Sequence, residues 1–484
     1  MSEPPSHNRI GLLSADCGLL RAAPLTARSV RYIGERYEAF APHYGLRNPR
    51  ARVERGVPAA DGEFVDLIVS DSNADLDEIL EASFRLAADG VLVARVEGDF
   101  ERSRAALEDA GLALAKARPD DSGEVLVLAR RGGLRSPRLH VELWAFAPAL
   151  MDIRTRLPTE QLDTEPCVTA RWHLRPFELP DLPPDTPKIV VSQRPGRYPE
   201  PYLRQWLAET LAKGWLPVLE TDDHPGVMAR VQAREPDALD WLQVRAMAAV
   251  QTSTPRLAEA LAEHNPEVRV FPNAVFELPP FPTRERPRRV FYGAVSRGPL
   301  AVEVARSLGP VVRQFPDVEF LVVGDRAVFD ALPTRRKRYE DIVPYDRYLA
   351  VMRACSVTLS PLAGNAYEDT KSDAKFLDAA QSGTLMIASP TVYSDVIRHG
   401  ENGLIAQRTQ DWPRLLADAL GNDAKRREMT LCAWSEVRER RMFADQIAAR
   451  RDWYLDLWDR REALERALCE RLPGLADAIA HHRR

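Results

Sequence analysis

The 484-residue sequence has little of several features on which specialised folds depend. Its five cysteines are far apart in sequence, so their spacing indicates neither a zinc site nor a disulfide framework. The longest apolar stretch, residues 143–151, is far shorter than the roughly 20 residues that a membrane-spanning helix needs. Residues 1–9 are polar and lack the apolar segment of a secretion signal. We therefore expect a soluble, cytoplasmic protein.

The sequence also lacks an excess of either charge. Lysine and arginine number 66 against 71 aspartates and glutamates, which gives a formal net charge of −5. Proteins dedicated to nucleic acids usually carry a strongly basic surface, so we expect no nucleic-acid partner. With 45% hydrophobic and 28% charged residues, the composition is ordinary for a globular protein. The length allows about three domains of ~150 residues, each with its own core.

Short apolar runs alternate with helical patterns along the first block of the chain. Strands are predicted at residues 10–13, 65–69, 91–96 and 125–128. Apolar residues at positions 76, 79, 80, 84 and 87 recur at helical spacing between the second and third of these strands. Gly132, Gly133 and Pro137 then interrupt the pattern. We predict a smaller Rossmann-like α/β domain over residues 1–135.

Two further α/β units follow, with Pro-rich breaks at residues 176–187 and 278–282. The predicted elements are strands at 189–192, 216–220, 289–292 and 318–323 and helices at 255–262 and 299–314. We predict two Rossmann-like domains, residues 136–280 and 281–425, with a cleft at the carboxyl ends of their strands. The charged segment 426–484 is predicted to be helical and packed on the surface.

The most informative stretch is residues 371–389, KSDAKFLDAAQSGTLMIAS. A basic turn leads a predicted helix in which Lys375 and Asp378 are three residues apart, and Gly383 ends that helix before a strand at 385–388. Lys371, Lys375 and the helix N-terminus together form a candidate anion site. The same residues also suit a surface helix with one ion pair.

This stretch resembles the nucleotide-sugar motif of the retaining GT-B glycosyltransferases of bacterial type called glycosyl transferases group 1. The family pattern is Lys-x-x-Glu in a helix, a small residue, a glycine and an apolar strand, followed by His-Gly-x-Asn-Gly-Leu. Here HGENGL stands at residues 399–404, and FYGAVSR at 291–297 and VVGD at 322–325 resemble the first two strands of the family. The resemblance implies a GT-B arrangement of the second and third α/β domains.

The resemblance also implies an activity. The chain would move a sugar from a nucleotide-sugar donor to a glycan, lipid-linked or protein acceptor, with retention of anomeric configuration and with neither metal nor cofactor. A lipid-linked acceptor would bring peripheral membrane association. Carried over by position, Lys375 and Arg297 would face the donor diphosphate and Asp378 the ribose hydroxyls. The implied donor-binding residues are Gly293, Ser296, Arg297, Lys371, Lys375 and Asp378.

The chain departs from the family pattern at two places. Asp378 stands where the family usually has glutamate, so the ribose contact is shifted by one methylene. No basic residue occurs at 298–303, where the family usually has a second one. Lys371 or the basic cluster at residues 335–338 is expected to supply that charge instead.

Polar residues follow a predicted strand of the second α/β domain. Asp222, Asp223 and His224 come after the strand at 216–220, and Arg194 follows the strand at 189–192. We interpret these four residues as the acceptor side of the cleft, and His224 as catalytic together with Arg297 and Lys375. The alternative is a polar turn. A metal site built on Asp222 and His224 lacks a third ligand.

The first α/β domain is similar, over residues 65–70 and 88–94, to the later strands of a class I methyltransferase. That fold needs a glycine-rich loop after its first strand, but the predicted strand at 10–13 is followed only by Gly18. We therefore interpret this domain as degenerate and used for packing or partner binding. Two alternatives stay open: a bifunctional methyltransferase and glycosyltransferase, and a non-catalytic member that holds a glycan or scaffolds other enzymes.

Overall fold

The computed structural model describes residues 17–58, 62–71, 76–96, 100–119, 125–133, 138–146, 151–194, 199–231, 234–295, 297–365 and 367–484. The strand predicted at residues 10–13 and the candidate donor-binding residue Ser296 lie outside this set. In the described part of the chain, three six-stranded sheets form, and helices pack against each. The predicted α/β class is therefore confirmed.

The first sheet has strand order β2-β1-β3-β4-β6-β5, with β6 antiparallel to both of its neighbours. Its strands are β1 (Ser29–Ile33), β2 (Arg52–Arg55), β3 (Val65–Ser70), β4 (Leu86–Val96), β5 (Leu112–Pro119) and β6 (Val125–Arg131). The helices are α1 (Cys17–Ala22), α2 (Tyr37–Arg47), α3 (Leu76–Ser83) and α4 (Phe100–Asp109).

Two expectations for this sheet were wrong. The helix expected to reach position 87 ends at Ser83, because Leu86 already pairs with Val65 in the sheet. Sequence analysis also missed β1, which is the central parallel strand between β2 and β3. Gly34 follows β1 directly and has a left-handed φ of 124°. A glycine therefore does follow an early strand of this sheet.

The second sheet is parallel throughout, in the order β12-β11-β10-β9-β7-β8. Its strands are β7 (Leu139–Ala145), β8 (Val168–His173), β9 (Lys188–Gln193), β10 (Leu216–Glu220), β11 (Ala249–Thr252) and β12 (Val268–Val270). Its helices are a π-helical turn (Asp152–Arg156), α5 (Leu157–Leu162), α6 (Glu200–Ala212), α7 (Gly226–Val231), α8 (Ala238–Arg245) and α9 (Pro255–Ala262). The strand order reverses between β7 and β9, so a ligand crevice is expected there.

The third sheet has the order β15-β14-β13-β16-β17-β18, which is that of a Rossmann domain. Its strands are β13 (Arg289–Gly293), β14 (Glu319–Val323), β15 (Lys337–Glu340), β16 (Val357–Ser360), β17 (Leu385–Ala388) and β18 (Leu404–Ile405). Its helices are α10 (Pro299–Ser307), α11 (Gly309–Gln314), α12 (Arg326–Ala331), α13 (Tyr345–Arg353), α14 (Ala374–Ser382) and α15 (Asp411–Gly421), with 3-10 turns at Glu368–Thr370 and Val392–Asp395. The single helix predicted at 299–314 is two helices, because Pro310 lacks an N–H and disfavours helical geometry before it.

The C-terminal helices pack one face against the second and third sheets and expose the other. They are α16 (Asp423–Arg440), α17 (Ile447–Asp459), α18 (Arg461–Arg471) and α19 (Leu475–His482), with a 3-10 turn at Phe443–Asp445. Ile447, Leu457 and Leu468 have no exposed area. Helix α16 packs on α14 of the third sheet, whereas α17 packs on β7 and β9 of the second. The chain thus crosses back after Arg440 and ties the two sheets together.

The first and second sheets share one hydrophobic core. Tyr32 and Val93 from the first sheet belong to the same buried cluster as Val141 and Val191 from the second and Leu457 from α17. The third sheet has a cluster of its own on one face, which includes Phe320, Val357 and Trp412. The domain boundaries at residues 135, 280 and 425 stay predictions. Among the described residues, no helix has both the length and the apolar character needed to cross a bilayer.

Candidate functional site

Gly293 ends β13 beside β16, where the strand order of the third sheet reverses. Open α/β sheets bind ligands at such a point, outside the carboxyl ends of the strands. Lys375, in the first turn of α14, donates a hydrogen bond to the carbonyl oxygen of Gly293 and a second, 3.2 Å long, to the hydroxyl of Tyr348. A Cβ at position 293 would collide with the rings of Phe291 and Tyr348. Only glycine therefore fits at position 293, because both rings lie close to its backbone.

The pKa of Lys375 lies near neutral pH. Burial and the nearby Arg297 lower the pKa of Lys375 to about 7, although Asp378 opposes the shift. An ammonium has three N–H donors, and the two contacts above use two of them. One donor is therefore available to an anion placed at the carboxyl edge of the sheet.

Helix α14 is buried along most of its length, so the interpretation as a surface helix was wrong. The side chains from Phe376 to Ser382 are all buried. Asp378 accepts hydrogen bonds from the hydroxyl of Tyr345 at 2.6 Å and from Nε2 of Gln381 at 3.3 Å, both on Oδ1. Burial raises the pKa of Asp378 to about 6. Among the described residues, Oδ2 of Asp378 has no hydrogen-bond partner, and Lys375 makes no ion pair with this carboxylate.

The carboxyl edge of the second sheet meets the third sheet at an ion pair. Nζ of Lys371, just before α14, lies 3.0 Å from Oδ1 of Asp223, which follows β10. The guanidinium of Arg194 binds the other oxygen of Asp223, and its Nε lies 3.5 Å from Oδ1 of Asp222. Burial disfavours ionisation of Asp223, but Arg194 and Lys371 hold its pKa below the usual value. The carboxyl edges of the second and third sheets therefore meet at these ion pairs.

Arg194 stands out by its backbone as well as its contacts. It follows β9 at the switch point of the second sheet, and its φ is 48°. No other non-glycine residue in the described part of the chain has a positive φ. Such strain costs of order 1–3 kcal/mol and is typically found at functional positions.

His224 lies at the same edge, between the second and third sheets. Its Nδ1 accepts a hydrogen bond of 3.0 Å from the backbone N–H of Gly226, so the neutral ring carries its hydrogen on Nε2. Trp241 and Tyr367 contact the ring with centroid distances of 5.0 Å each. Burial and His264 lower the pKa of His224. In this geometry the ring can donate a hydrogen bond through Nε2, whereas Nδ1 is already occupied.

Asp222 is the most enclosed carboxylate of the cleft. Its side chain is 8% exposed, and burial raises its pKa while Arg194 opposes the shift. Its Oδ1 has no hydrogen-bond partner among the described residues. A carboxylate with a raised pKa is suited to accept a proton.

Arg297 and the basic cluster at residues 335–338 are placed differently. The backbone N–H of Arg297 contacts Oδ2 of Asp325 at 3.5 Å, and its guanidinium has no hydrogen bond or ion pair with any described residue. Lys337, by contrast, starts β15 and donates to the carbonyl oxygens of Phe329 and Leu332. The basic cluster thus begins at the amino end of an edge strand, away from Gly293, and does not supply the second cation.

The contacts that join the second sheet to the third were not predicted from the sequence. Asn273 donates to Oγ of Ser372 at 2.8 Å and accepts from Arg154 at 2.9 Å. Arg441 binds both carboxylate oxygens of Asp373, at 2.6 and 3.0 Å. These partners are far apart in sequence, so local patterns do not predict them. Tyr345 and Tyr348 were also missed; their spacing of three predicts a shared helix face but not which face.

No described group of three or more histidine, cysteine, aspartate or glutamate side chains is arranged to hold a metal ion.

Comparisons with known proteins cover part of this site. Residues 303–451 match the model of a family described as glycosyl transferase-like. The matched stretch contains Lys371, Lys375 and Asp378 but begins after Arg297. No curated protein matches the chain.

Solved structures are similar at low identity. A TarM mutant of S. aureus, in complex with Fondaparinux, alpha-GlcNAc-glycerol and UDP, is 13% identical, with 57% of this chain and 55% of that chain covered and a TM-score of 0.42. Anabaena Alr3699/HepE, in complex with UDP and glucose, is 11% identical, with 65% and 99% covered and a TM-score of 0.45. A glycosyltransferase from Rickettsia africae ESF-5 is 9% identical, with 66% and 99% covered and a TM-score of 0.44. This chain thus spans about half the length of TarM and nearly all of the other two.

Proposed function

We propose that the chain is a glycosyltransferase, which binds a nucleotide-sugar between the second and third sheets and transfers the sugar to a glycan, lipid-linked or protein acceptor. The observation that carries the proposal is the position of Lys375. Its ammonium lies against the carbonyl of Gly293 at the switch point of a Rossmann-ordered sheet, within a stretch that matches a glycosyl transferase-like family. Lys375, Lys371 and Arg297 make the cleft suitable for a diphosphate.

The proposed chemistry is stabilisation of a leaving nucleotide. When the bond between the sugar and the phosphate breaks, negative charge builds on the diphosphate. The remaining N–H of Lys375 and the guanidinium of Arg297 would then contact phosphate oxygens more strongly than in the ground state. Tyr348 and the carbonyl of Gly293 hold Lys375 in advance, so little reorganisation is needed. We propose that this step needs neither metal nor cofactor.

Asp378 would bind the ribose through Oδ2. Its Oδ1 is held by Tyr345 and Gln381, which fixes the carboxylate and leaves the second oxygen for ribose hydroxyls. This arrangement accommodates the shorter aspartate in place of the family's glutamate, because Tyr345 sets the position of the carboxylate.

Asp222 and His224 would act on the acceptor. The enclosed carboxylate of Asp222 is suited to take a proton from the attacking hydroxyl, and Nε2 of His224 to donate a hydrogen bond to that acceptor. Retention of anomeric configuration rests on the family resemblance alone. We propose that the enzyme works in the cytoplasm and reaches membranes only through a lipid-linked acceptor.

A second candidate is a non-catalytic glycan-binding or scaffolding protein. The occupied Oδ1 of Asp378 favours it, because half of the carboxylate proposed for the ribose is already used within the protein. Release of nucleotide from a donor sugar separates the two functions, since only a transferase releases it.

The test is a thermal-shift screen of the full chain against UDP-, GDP- and dTDP-sugars, followed by measurement of nucleotide release. A ligand at a hundred times its Kd should stabilise the protein by about 2.7 kcal/mol. We expect one donor class to raise Tm, with the shift lost in Lys375→Ala and kept in Lys425→Ala, which removes an exposed lysine from α16. If no donor raises Tm and no nucleotide is released, the proposed function is wrong.

A further inference from the structure

Asp223 is surrounded by basic side chains from both sheets. Lys371, which precedes the helix α14 of the third sheet, pairs with Oδ1 at 3.0 Å, and Arg194, which follows β9 of the second sheet, binds Oδ2. Arg297 contributes further to the positive potential at this carboxylate. Two cations that bind the two oxygens of a carboxylate are also suitably placed to bind two oxygens of a diphosphate.

These ion pairs are open enough to exchange. The side chains of Lys371, Asp223 and Arg194 are 23%, 20% and 21% exposed. Asp222, by contrast, is 8% exposed and meets only Arg194, at 3.5 Å. An incoming dianion would offer the two cations the same pair of anionic oxygens, so it can take the place of the carboxylate.

The backbone of Arg194 supports a role beyond that of a surface ion pair. Its φ of 48° lies in the left-handed region, where a residue with a Cβ is strained. Its backbone N–H donates to the carbonyl oxygen of Glu220, at the end of β10, with a length of 3.0 Å. The strained backbone therefore directs the guanidinium towards Asp223 and the third sheet.

We infer that the carboxylate of Asp223 occupies the place that the donor diphosphate takes on binding, and that Arg194 becomes a further cation on that diphosphate once Asp223 is displaced. The inference rests on the proposed function. It moves Arg194 from the acceptor side, where sequence analysis put it, to the donor side. It also means that Asp223 competes with the donor for Lys371 and Arg194. This competition lowers donor affinity and favours ligands that carry two negative charges.

The test is isothermal titration calorimetry of the full chain with UDP, GDP and dTDP. Asp223→Asn removes the competing charge and keeps the side-chain shape. We expect it to tighten nucleotide binding by roughly threefold to tenfold. Glu259→Gln is the matched control, because it removes a negative charge from the exposed face of α9, where the carboxylate has no ion pair with any described residue; we expect its Kd to change less than twofold.

Two double variants identify the cations. Lys371→Met in the Asp223→Asn background should bind nucleotide about as weakly as the wild type, because Lys371 is one of the two cations that the loss of the Asp223 charge releases. Arg194→Met in the Asp223→Asn background should weaken binding relative to Asp223→Asn alone by roughly tenfold, since no carboxylate then competes for the guanidinium. Melting temperatures close to that of the wild type would show that the variants fold.

The outcomes separate the inference from the proposed function. If the wild type binds a nucleotide but Asp223→Asn binds it equally or more weakly, the inference is overturned and the glycosyltransferase proposal stands. Equal tightening by Glu259→Gln would also overturn it, because the loss of any negative charge would then act alike. If neither the wild type nor Asp223→Asn binds any of the three nucleotides, both the inference and the proposed function are wrong. Binding by Asp223→Asn alone would support both.

Discussion

The first and third sheets each place a glycine at the end of a central parallel strand, yet they treat the space beside it in opposite ways. Beside Gly34, the carboxylate of Asp71 fills the space that a side chain would need, and it accepts hydrogen bonds from the hydroxyl of Tyr32 and the N–H of Arg36, each at 3.0 Å. Beside Gly293 lies the ammonium of Lys375, with a donor to spare. One edge is filled by an anion of the protein itself, and the other presents cations to a ligand.

The comparison shows that a shared parallel topology does not fix the charge of the side chain beside the glycine. Both sheets have the parallel core that creates a crevice at the carboxyl edge. The difference lies in the charge and the hydrogen-bond state of the side chains placed there. Five predictions concern the side chains at the carboxyl edges of the sheets, and they run from the largest expected effect to the smallest.

The largest effect is expected from Lys375→Ala. It removes the cation that would strengthen its contact as the nucleotide leaves, so kcat/KM should fall by roughly 10²-fold or more. Steady-state kinetics of nucleotide release measure this. Lys425→Ala, which removes a lysine from the exposed face of α16, should keep wild-type kinetics. Equal activity in both variants would place the donor site elsewhere.

Asp222→Asn and His224→Ala should lower turnover by roughly tenfold or more while leaving donor Kd nearly unchanged, because both groups would act on the acceptor. His224→Asn is the sharper variant. Its side-chain oxygen can still accept from the N–H of Gly226, as Nδ1 does, but it lacks the Nε2 hydrogen. If His224→Asn and Asp222→Asn transfer sugar at the wild-type rate, the alternative of a polar turn is correct.

Asp378→Ala should act mainly on donor binding, since ribose contacts exist in the bound donor as well as in the transition state. We expect KM for the donor to rise by roughly tenfold, with a smaller change in kcat. Asp378→Glu restores the family's residue and tests the fit: retained activity supports the ribose role, whereas loss indicates a pocket built around aspartate and Tyr345. Wild-type kinetics and Tm in both variants would exclude Asp378 from the site.

How far the sequence predicts this site depends on how local each feature is. The end of helix α14 and the whole of strand β17 were predicted to the residue, because Gly383, with a φ of 61°, ends the helix and the apolar run LMIA begins two residues later. Strand β1 was missed, although SVRYI alternates polar and apolar residues, which is typical of a half-buried strand. The contact between Tyr345 and Asp378 joins residues 33 apart, and that between Asp223 and Lys371 joins residues 148 apart. Local spacing predicts the partners but not the pairs.

A smaller effect is expected from pH. The pKa of Lys375 is about 7 in the free protein, below the usual 10.5, and a bound diphosphate should raise it again. Nucleotide binding should therefore take up a proton near neutral pH, and affinity should fall as pH rises above about 7. Calorimetry in buffers of different ionisation enthalpy measures the proton uptake. Lys375→Arg keeps its charge over this range, so its proton uptake should vanish; an unchanged uptake would assign it to another group.

The smallest effect is an expected absence: the full chain should show no binding heat with S-adenosylmethionine. A glycine does follow β1, at Gly34, but the buried carboxylate of Asp71 fills the space beside it. The measurement needs the whole protein, because the first sheet shares its hydrophobic core with the second and with α17. Asp71→Ala sharpens the comparison. If the carboxylate alone blocks a pocket of the right shape, this variant should bind S-adenosylmethionine. If the edge is fully degenerate, the variant should show no binding heat. The variant should also be less stable, because Tyr32 and Arg36 lose an acceptor. Micromolar binding by the wild type would contradict the degenerate interpretation and support a bifunctional enzyme, in which both sheets present their carboxyl edges to ligands.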